Sequence, residues 1–287
     1  MPNNDRMTVI GKISYTNAWP LFYYVDPEQL DFPAEMVAEV PAFLNEGMKK
    51  GNIQIGAISS FAYAEAADKL LLLPDLSVSA DGEVKSILLF SRGPVKNLVD
   101  GTIALTNTSA TSVNLLKILM QKALGGSPAY KTMEPDLETM MESADAALLI
   151  GDNAIRASWN NRDYHVTDLS KWWKEWTGYS MTFAVWAVNR RAAEERPGDM
   201  ADIAALFEDS KRRSLRDLRP LVDTAVSNIG GTASYWKGYF TNLCYDFDDR
   251  KREGLRLYFK YAYELGLLSQ DVVPKLWSDT IRMQVKE

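Results

Sequence analysis

The chain is 287 residues long, beyond the size at which one hydrophobic core usually stops growing, so its length favours two domains. Hydrophobic residues make up 46% and charged residues 24% of the sequence, a composition that excludes a disordered or fibrous protein. The net charge of −6 comes from interspersed acidic and basic residues with no basic patch. This pattern argues against nucleic acid as a partner.

Cys244 and His165 are the sole cysteine and histidine, which excludes an intrachain disulfide and a Cys- or His-rich metal site. Nucleotide-binding, zinc-protease and serine-hydrolase motifs are absent as well. We therefore expect no metal and no cofactor. The sequence starts without a signal-peptide pattern and has no run near the ~20 apolar residues that span a bilayer. These features predict a cytoplasmic protein without membrane contact.

In the first part of the chain, short β-branched runs alternate with segments of helical period, which is typical of an α/β protein. Strands are predicted over 8–13 and 53–58. Between them, a helix is predicted to begin at Pro41 and to end at Gly51, where lysines and a glycine form a favourable carboxyl terminus.

Polar residues follow both of these strands. Ser14 and Tyr15 supply hydroxyls and Asn17 an amide after the first strand, and Ser59 and Ser60 follow the second. Ligands bind at the carboxyl ends of strands in α/β sheets, so we expect both groups on one functional edge. The alternative for Asn17 is a structural role in the turn into the next helix.

The middle of the chain is predicted to form an inserted domain. A strand that ends at Ser91 is followed by Arg92-Gly93-Pro94, which we interpret as the first crossing between the domains. A strand over 181–188 is predicted to carry the chain back to the first domain. The predicted domains are residues 1–91 with 187–287, and residues 92–186. We expect each to be a mixed, mostly parallel sheet flanked by helices, with two crossings as a hinge and the ligand in the cleft between them.

The segment from Thr106 to Ser112 sets five hydroxyls between a strand end and a helix start. Unpaired backbone N–H groups and the helix dipole favour an anion at such a turn. Thr106, Ser109, Thr111 and Ser112 are therefore candidate contacts for a carboxylate. The alternative is that Ser109 only caps the helix.

Three further residues are candidates for the site. Lys85 and Ser86 interrupt an apolar strand entrance, where Lys85 can pair with a carboxylate or simply be solvated. Asp152 follows a buried strand and Gly151, so it is either an acid or base or a helix N-cap. From these residues alone, the sequence predicts a hinged protein that encloses a small anionic ligand.

At these residues the sequence resembles the chorismate dehydratases of menaquinone biosynthesis by the futalosine route. The resemblance covers roughly residues 10–190 and is carried, in family order, by Asn17-Ala18-Trp19-Pro20, Gly56-Ala57-Ile58-Ser59-Ser60, Leu73-Pro74-Asp75-Leu76, Gly82 to Ser91, Ser109-Ala110-Thr111-Ser112, Ala147 to Asp152, and Phe183-Ala184-Val185-Trp186.

The resemblance implies a type II periplasmic-binding-protein-like clamp that converts chorismate to 3-[(1-carboxyvinyl)oxy]benzoate and water, which is a carbon–oxygen lyase reaction. It also implies that Asn17, Ser86 and the 109–112 turn surround the substrate. The base that removes the C3 proton is either the substrate's own enolpyruvyl carboxylate or Asp152. The expected partner is this small molecule, and a homodimer is compatible with the sequence.

Two other functions stay open. A solute-binding protein shares the implied fold, but should carry an export signal. The paralogous 1,4-dihydroxy-6-naphthoate synthase also uses the clamp, but is expected to need a base such as histidine, and His165 lies outside the predicted pocket loops.

Overall fold

A computed structural model describes residues 7–277 and contains two mixed β-sheets flanked by helices. The first sheet has six strands in the order β11-β4-β10-β3-β1-β2. Their bounds are β1 Thr8–Ile13, β2 Ala34–Glu39, β3 Ile55–Ser59, β4 Leu70–Ala80, β10 Met181–Asn189 and β11 Leu243–Cys244.

The second sheet has five strands in the order β7-β6-β8-β5-β9. Their bounds are β5 Ile87–Ser91, β6 Thr102–Thr106, β7 Ala129–Met133, β8 Ala146–Ile150 and β9 His165–Asp168. Strands β5 and β8 are buried along their whole length, as expected for runs of apolar residues at the centre of a covered sheet.

The sheets contain more antiparallel pairing than the prediction of mostly parallel sheets implied. β1 pairs in parallel with β2 and β3, and β6 with β7 and β8. β10 is antiparallel to β3 and β4, and β5 is antiparallel to β8 and β9. The reason is that β5 and β10 enter their sheets from the other half of the molecule, so they run against their neighbours.

Both crossings between the sheets fall earlier than the predicted boundaries at residues 91 and 186. The chain leaves the first sheet after Ala80 and enters the second at Ile87, so the strand that ends at Ser91 belongs to the second sheet. It returns between helix α7, which ends at Thr177, and β10. The first crossing contains Gly82 and Lys85, both of which have positive φ.

The helices cover both sheets and connect them. They are α1 Trp19–Phe22, α2 Pro41–Lys50, α3 Ser60–Glu65, α4 Ala110–Ile118, α5 Leu137–Glu142, α6 Gly151–Asn160, α7 Leu169–Thr177, α8 Arg190–Glu195, α9 Pro197–Arg216, α10 Arg219–Ile229, α11 Ala233–Asn242 and α12 Asp249–Glu264. As predicted, α2 begins at Pro41 and is closed by Gly51 in the left-handed conformation. In addition, α12 contacts β10 and α3 of the half built around the first sheet and α4 of the half built around the second sheet, so it joins the two halves.

The longest helix among the described residues, α9, is amphipathic and charged. Within residues 7–277, no helix is both long enough and apolar enough to cross a bilayer.

Candidate active site

A narrow cavity of about 40 Å³ lies where the two sheets meet. It is lined by Ile13, Tyr15, Asn17, Pro41, Ser59, Ile87, Ser109, Thr111, Ser112, Ile150, Gly151, Phe183 and Ala184. The walls thus combine apolar side chains with hydroxyls and an amide. Small-molecule pockets usually measure 300–1,000 Å³, so this cavity is smaller than a typical small-molecule site.

The loop after β1 contributes Tyr15 and Asn17 to the cavity. The Oδ1 atom of Asn17 is buried and accepts no hydrogen bond from any residue that the structure describes. A buried, unpaired carbonyl oxygen costs free energy that a donor from a ligand would recover. Of the predicted site residues, Asn17 therefore gives the clearest indication of a ligand, because its buried oxygen lacks a hydrogen-bond donor.

Tyr15 is held in place by its neighbours across the cavity. Its ring lies against Gly151, where an added Cβ would stand 2.8 Å from Tyr15 Cδ1. Burial raises the pKa of the Tyr15 phenol, the hydrogen bond with the Thr108 side chain opposes that rise, and the nearby Asp152 adds to it. The phenol is therefore a neutral hydroxyl at pH 7.

The amino terminus of α4 faces the loop that contains Ser59. Ser109 is the N-cap, and its Oγ accepts a hydrogen bond from the backbone N–H of Ser112 at 3.1 Å. The capping role is therefore present, and Ser109 also lines the cavity. Thr111 Oγ1 accepts from the backbone N–H of Phe61 at 3.0 Å, a hydrogen bond that joins the two halves of the molecule.

Ser59 and Ser60 lie at the carboxyl end of β3, beside the β1 loop, as predicted. Ser59 lines the cavity, where its Oγ accepts from Asn45 Nδ2 at 3.1 Å. Ser60 is fully buried, lies outside the cavity lining and donates to the carbonyl of Thr182 at 2.8 Å. Its hydroxyl thus serves the contact between β3 and β10.

Asp152 lies in the first turn of α6 and is not its N-cap. Its Oδ1 accepts a hydrogen bond from Thr16 Oγ1 at 2.7 Å, which links the second half of the molecule to the β1 loop. Burial raises the pKa of Asp152, while the Thr16 hydroxyl and the charge of Arg156 oppose the rise. Asp152 lies outside the cavity lining, and its hydrogen bond with Thr16 supports the β1 loop.

Ser86 is completely buried, and its Oγ accepts a hydrogen bond from Tyr239 Oη at 2.9 Å. Its carbonyl accepts from the Gly151 N–H at 2.7 Å, which fixes the start of α6. The Ser86 side chain is thus turned toward α11 and lies outside the cavity lining. Whether it contacts substrate remains a prediction.

The remaining candidates also lie outside the lining. Lys85 has φ of 62° and donates its backbone N–H to Asp168 Oδ2 at 2.7 Å. Thr106 Oγ1 pairs with Thr108 Oγ1 at 2.8 Å. Ser14 is exposed and borders a neighbouring pocket. The structure therefore brings together Tyr15, Asn17, Ser59, Ser109, Thr111 and Ser112.

Sequence reasoning missed an aromatic cluster behind Asp152. Tyr239 stacks on Tyr235 with ring centroids 6.2 Å apart, and Tyr235 lies edge-on to Trp159 at 5.1 Å. Burial, with a smaller contribution from Asp152, raises the pKa of Tyr235 to about 12. The Tyr235-Trp236-x-x-Tyr239 spacing on α11 was the available signal, but nothing local connects α11 with Ser86, which is 153 residues earlier than Tyr239.

The single histidine takes no part in the cavity. His165 is exposed and opens the edge strand β9, where it pairs with Ser91. None of the described residues that line the cavity carries a carboxylate or an imidazole.

The chain is similar in sequence to known proteins. A family model described as menaquinone biosynthesis matches residues 8–264. A chorismate dehydratase from Thermus thermophilus is 34% identical over 277 residues, which cover 91% of this chain and 96% of that protein.

Solved structures share the fold at low identity. A protein from Archaeoglobus fulgidus has a TM-score of 0.73 at 19% identity, covering 91% of this chain and 98% of its own. The periplasmic aliphatic sulphonate binding protein from Escherichia coli has a TM-score of 0.68 at 15% identity, covering 94% of this chain and 92% of its own. The predicted binding-protein-like α/β fold is thereby confirmed.

Proposed function

The chain belongs to the menaquinone-biosynthesis family, and on that premise we propose that it is a chorismate dehydratase. The observation that carries this proposal is the 34% identity with a chorismate dehydratase over nearly the whole of both chains. The product is 3-[(1-carboxyvinyl)oxy]benzoate, released with water. The proposal makes the chain a carbon–oxygen lyase that acts in the cytoplasm.

The reaction requires little catalytic apparatus. The C3–H bond of chorismate breaks, and its electron pair forms the C3–C4 double bond as the C4–O bond breaks. The hydroxyl leaves and, with the proton from C3, becomes water, while the ring becomes aromatic. The enzyme's main task is to favour this elimination over competing rearrangements, and positioning supplies such selectivity.

The cavity suits this task because its polar groups are hydrogen-bonding and neutral. In this proposal the hydroxyls of Ser109 and Ser112, at the amino terminus of α4, bind a substrate carboxylate with help from the helix dipole; both residues line the cavity. Asn17, whose buried Oδ1 has no partner among the described residues, accepts a hydrogen bond from the C4 hydroxyl and orients the ring.

We assign the role of base to the substrate's enolpyruvyl carboxylate. The residues that line the cavity offer no carboxylate or imidazole. Asp152, the protein alternative, already accepts a hydrogen bond from Thr16 and lies outside the cavity lining. Its role in this proposal is to hold the β1 loop in place.

The test is to incubate the purified protein with chorismate, without added metal or nucleotide, and to follow the product by chromatography and mass spectrometry. We expect 3-[(1-carboxyvinyl)oxy]benzoate to form at a rate proportional to protein concentration. Binding of chorismate without turnover would instead favour a solute-binding function. Failure to bind chorismate, with turnover of a later aromatic intermediate, would favour the paralogous naphthoate-forming reaction.

The same assay distinguishes the two candidate bases. Asp152→Asn retains the acceptor for Thr16 but cannot take up a proton, so we expect its rate to stay within a few fold of the wild type. A loss of about a hundredfold or more, in a variant that is at least as thermally stable as the wild type, would assign the base to Asp152 instead.

A further inference from the structure

A second pocket, separate from the cavity, lies on the other side of the β1 loop. Its volume is about 420 Å³, within the range of small-molecule sites. It is lined by Lys12, Ser14, Trp19, Phe22, Tyr23, Ala38 and Thr224. Strands β1 and β2 supply its floor through Lys12 and Ala38, which are paired residues in the parallel register.

Lys12 is the charged residue in this pocket. It is partly buried on β1, and no carboxylate among the described residues forms an ion pair with it. Burial lowers the pKa of its ammonium group, and no nearby acidic group opposes that shift. A partly desolvated cation is usually paired, so this position favours an anion from outside the chain.

The walls around Lys12 are aromatic and are tied to the surrounding elements. Trp19 Nε1 donates to the carbonyl of Ser14 at 3.3 Å. Tyr23 Oη lies 3.1 Å from Thr224 Oγ1, which connects α1 with α10. Phe22 contributes a buried ring. Flat apolar walls of this kind bind an aromatic ring.

We propose that this pocket binds a small aromatic carboxylate, whose anionic group pairs with Lys12 and whose ring packs against Trp19 and Tyr23. The combination of the cation and the aromatic rings indicates a binding site, because either feature alone occurs on many protein surfaces. The ligand would lie against Ser14, at the start of the loop that carries Tyr15 and Asn17.

The test uses benzoate as the probe and the indole N–H resonance of Trp19 as the readout. This resonance is assigned by its disappearance in Trp19→Phe. We expect benzoate to cause a saturable shift of this resonance. Lys12→Met keeps most of the alkyl stem and removes the charge, so we expect its dissociation constant for benzoate to be at least about tenfold higher. Lys12→Arg retains the charge and should retain binding, which controls for a folding defect.

Further controls isolate the pocket and the ligand class. Lys237→Met removes an exposed lysine on α11 and should leave benzoate binding unchanged. Acetate lacks the ring and benzamide lacks the charge, so both should bind at least about tenfold more weakly than benzoate. Asn17→Ala alters the cavity instead and should preserve the Trp19 shift.

Three results would overturn the proposal. These are the absence of a saturable Trp19 shift, an unchanged affinity in Lys12→Met, and loss of the shift in Asn17→Ala, which would mean that benzoate acts through the cavity. None of them depends on turnover of chorismate, so the pocket can fail while the dehydratase assignment stands, and the reverse also holds.

Discussion

At the scale of single residues, Asp152 shows how a carboxylate can matter to a site that it does not enter. Its hydrogen bond with Thr16 joins the second half of the molecule to the β1 loop, and its side chain lies outside the cavity lining. The price of this arrangement is a partly desolvated charge, which raises the pKa of Asp152.

The raised pKa predicts a pH-dependent stability difference for Asp152→Asn. A carboxyl group whose pKa is higher in the folded state stabilises the fold below its unfolded pKa, about 3.9, and this contribution is lost as pH rises through the folded value. Asparagine cannot ionise and avoids that loss. We expect Asp152→Asn to unfold at a higher temperature than the wild type at pH 7, with a difference that shrinks toward pH 4.

Thermal unfolding of both proteins across this pH range measures the effect. A variant that is less stable than the wild type at pH 7, and equally so at pH 4, would show that the charged carboxylate is stabilised by its surroundings.

At the scale of elements, the start of α6 sets the distance between the two halves of the site. Gly151 has φ of +58°, and its N–H is bonded to the Ser86 carbonyl. An added Cβ would lie 2.8 Å from the Tyr15 ring. Glycine is required here both by the backbone conformation and by the close approach of Tyr15.

Gly151→Ala should therefore impair activity as well as stability. Gly178→Ala is the matched control, because Gly178 has φ of +78° but has nothing within 4 Å of an added Cβ. Both variants should lose about 1–3 kcal/mol of unfolding free energy from the backbone conformation. Turnover of chorismate should fall by at least about tenfold in Gly151→Ala but not in Gly178→Ala, because only the Cβ added at residue 151 forces the Tyr15 ring to move. Equal activities in the two variants would mean that the position of Tyr15 is unimportant.

Local elements were predictable where caps and breakers act within a few residues. The ends of α2 follow from Pro41 and Gly51, and the start of α4 follows from Ser109. The crossing at residue 92 was misplaced because an apolar run such as 87–90 fits the centre of either sheet.

The side chains of the site were predictable only in part. The positions of Asn17 and Ser109 follow from strand ends, which bring their loops together in any α/β sheet. The orientations of Ser86 and Asp152 depend on Tyr239 and Thr16, which are distant in sequence. The contact of α11 with Ser86 is a product of tertiary packing and has no local signature.

At the scale of the whole molecule, the cavity is small and lies between the two halves. Its volume of about 40 Å³ is below that of small-molecule sites, and hydrogen bonds such as Phe61 N–H to Thr111 Oγ1 join its two sides. We therefore propose that substrate enters when the two halves separate at the crossings around residues 81–86 and 178–180.

Such a separation of the halves predicts a change of shape on ligand binding. We expect small-angle X-ray scattering to give a larger radius of gyration for the free protein than for the protein saturated with 3-[(1-carboxyvinyl)oxy]benzoate. Identical scattering curves would indicate that the cavity is filled by local movement of side chains, without separation of the halves.

We propose that chorismate is dehydrated in the cavity where Asn17 presents an unpaired oxygen. The most direct test is kcat/KM for chorismate in Asn17→Ala, compared with Asn228→Ala, which alters an exposed asparagine on α10. We predict a loss of about a hundredfold in the first variant and wild-type values in the second. Equal, wild-type values in both folded variants would contradict the account.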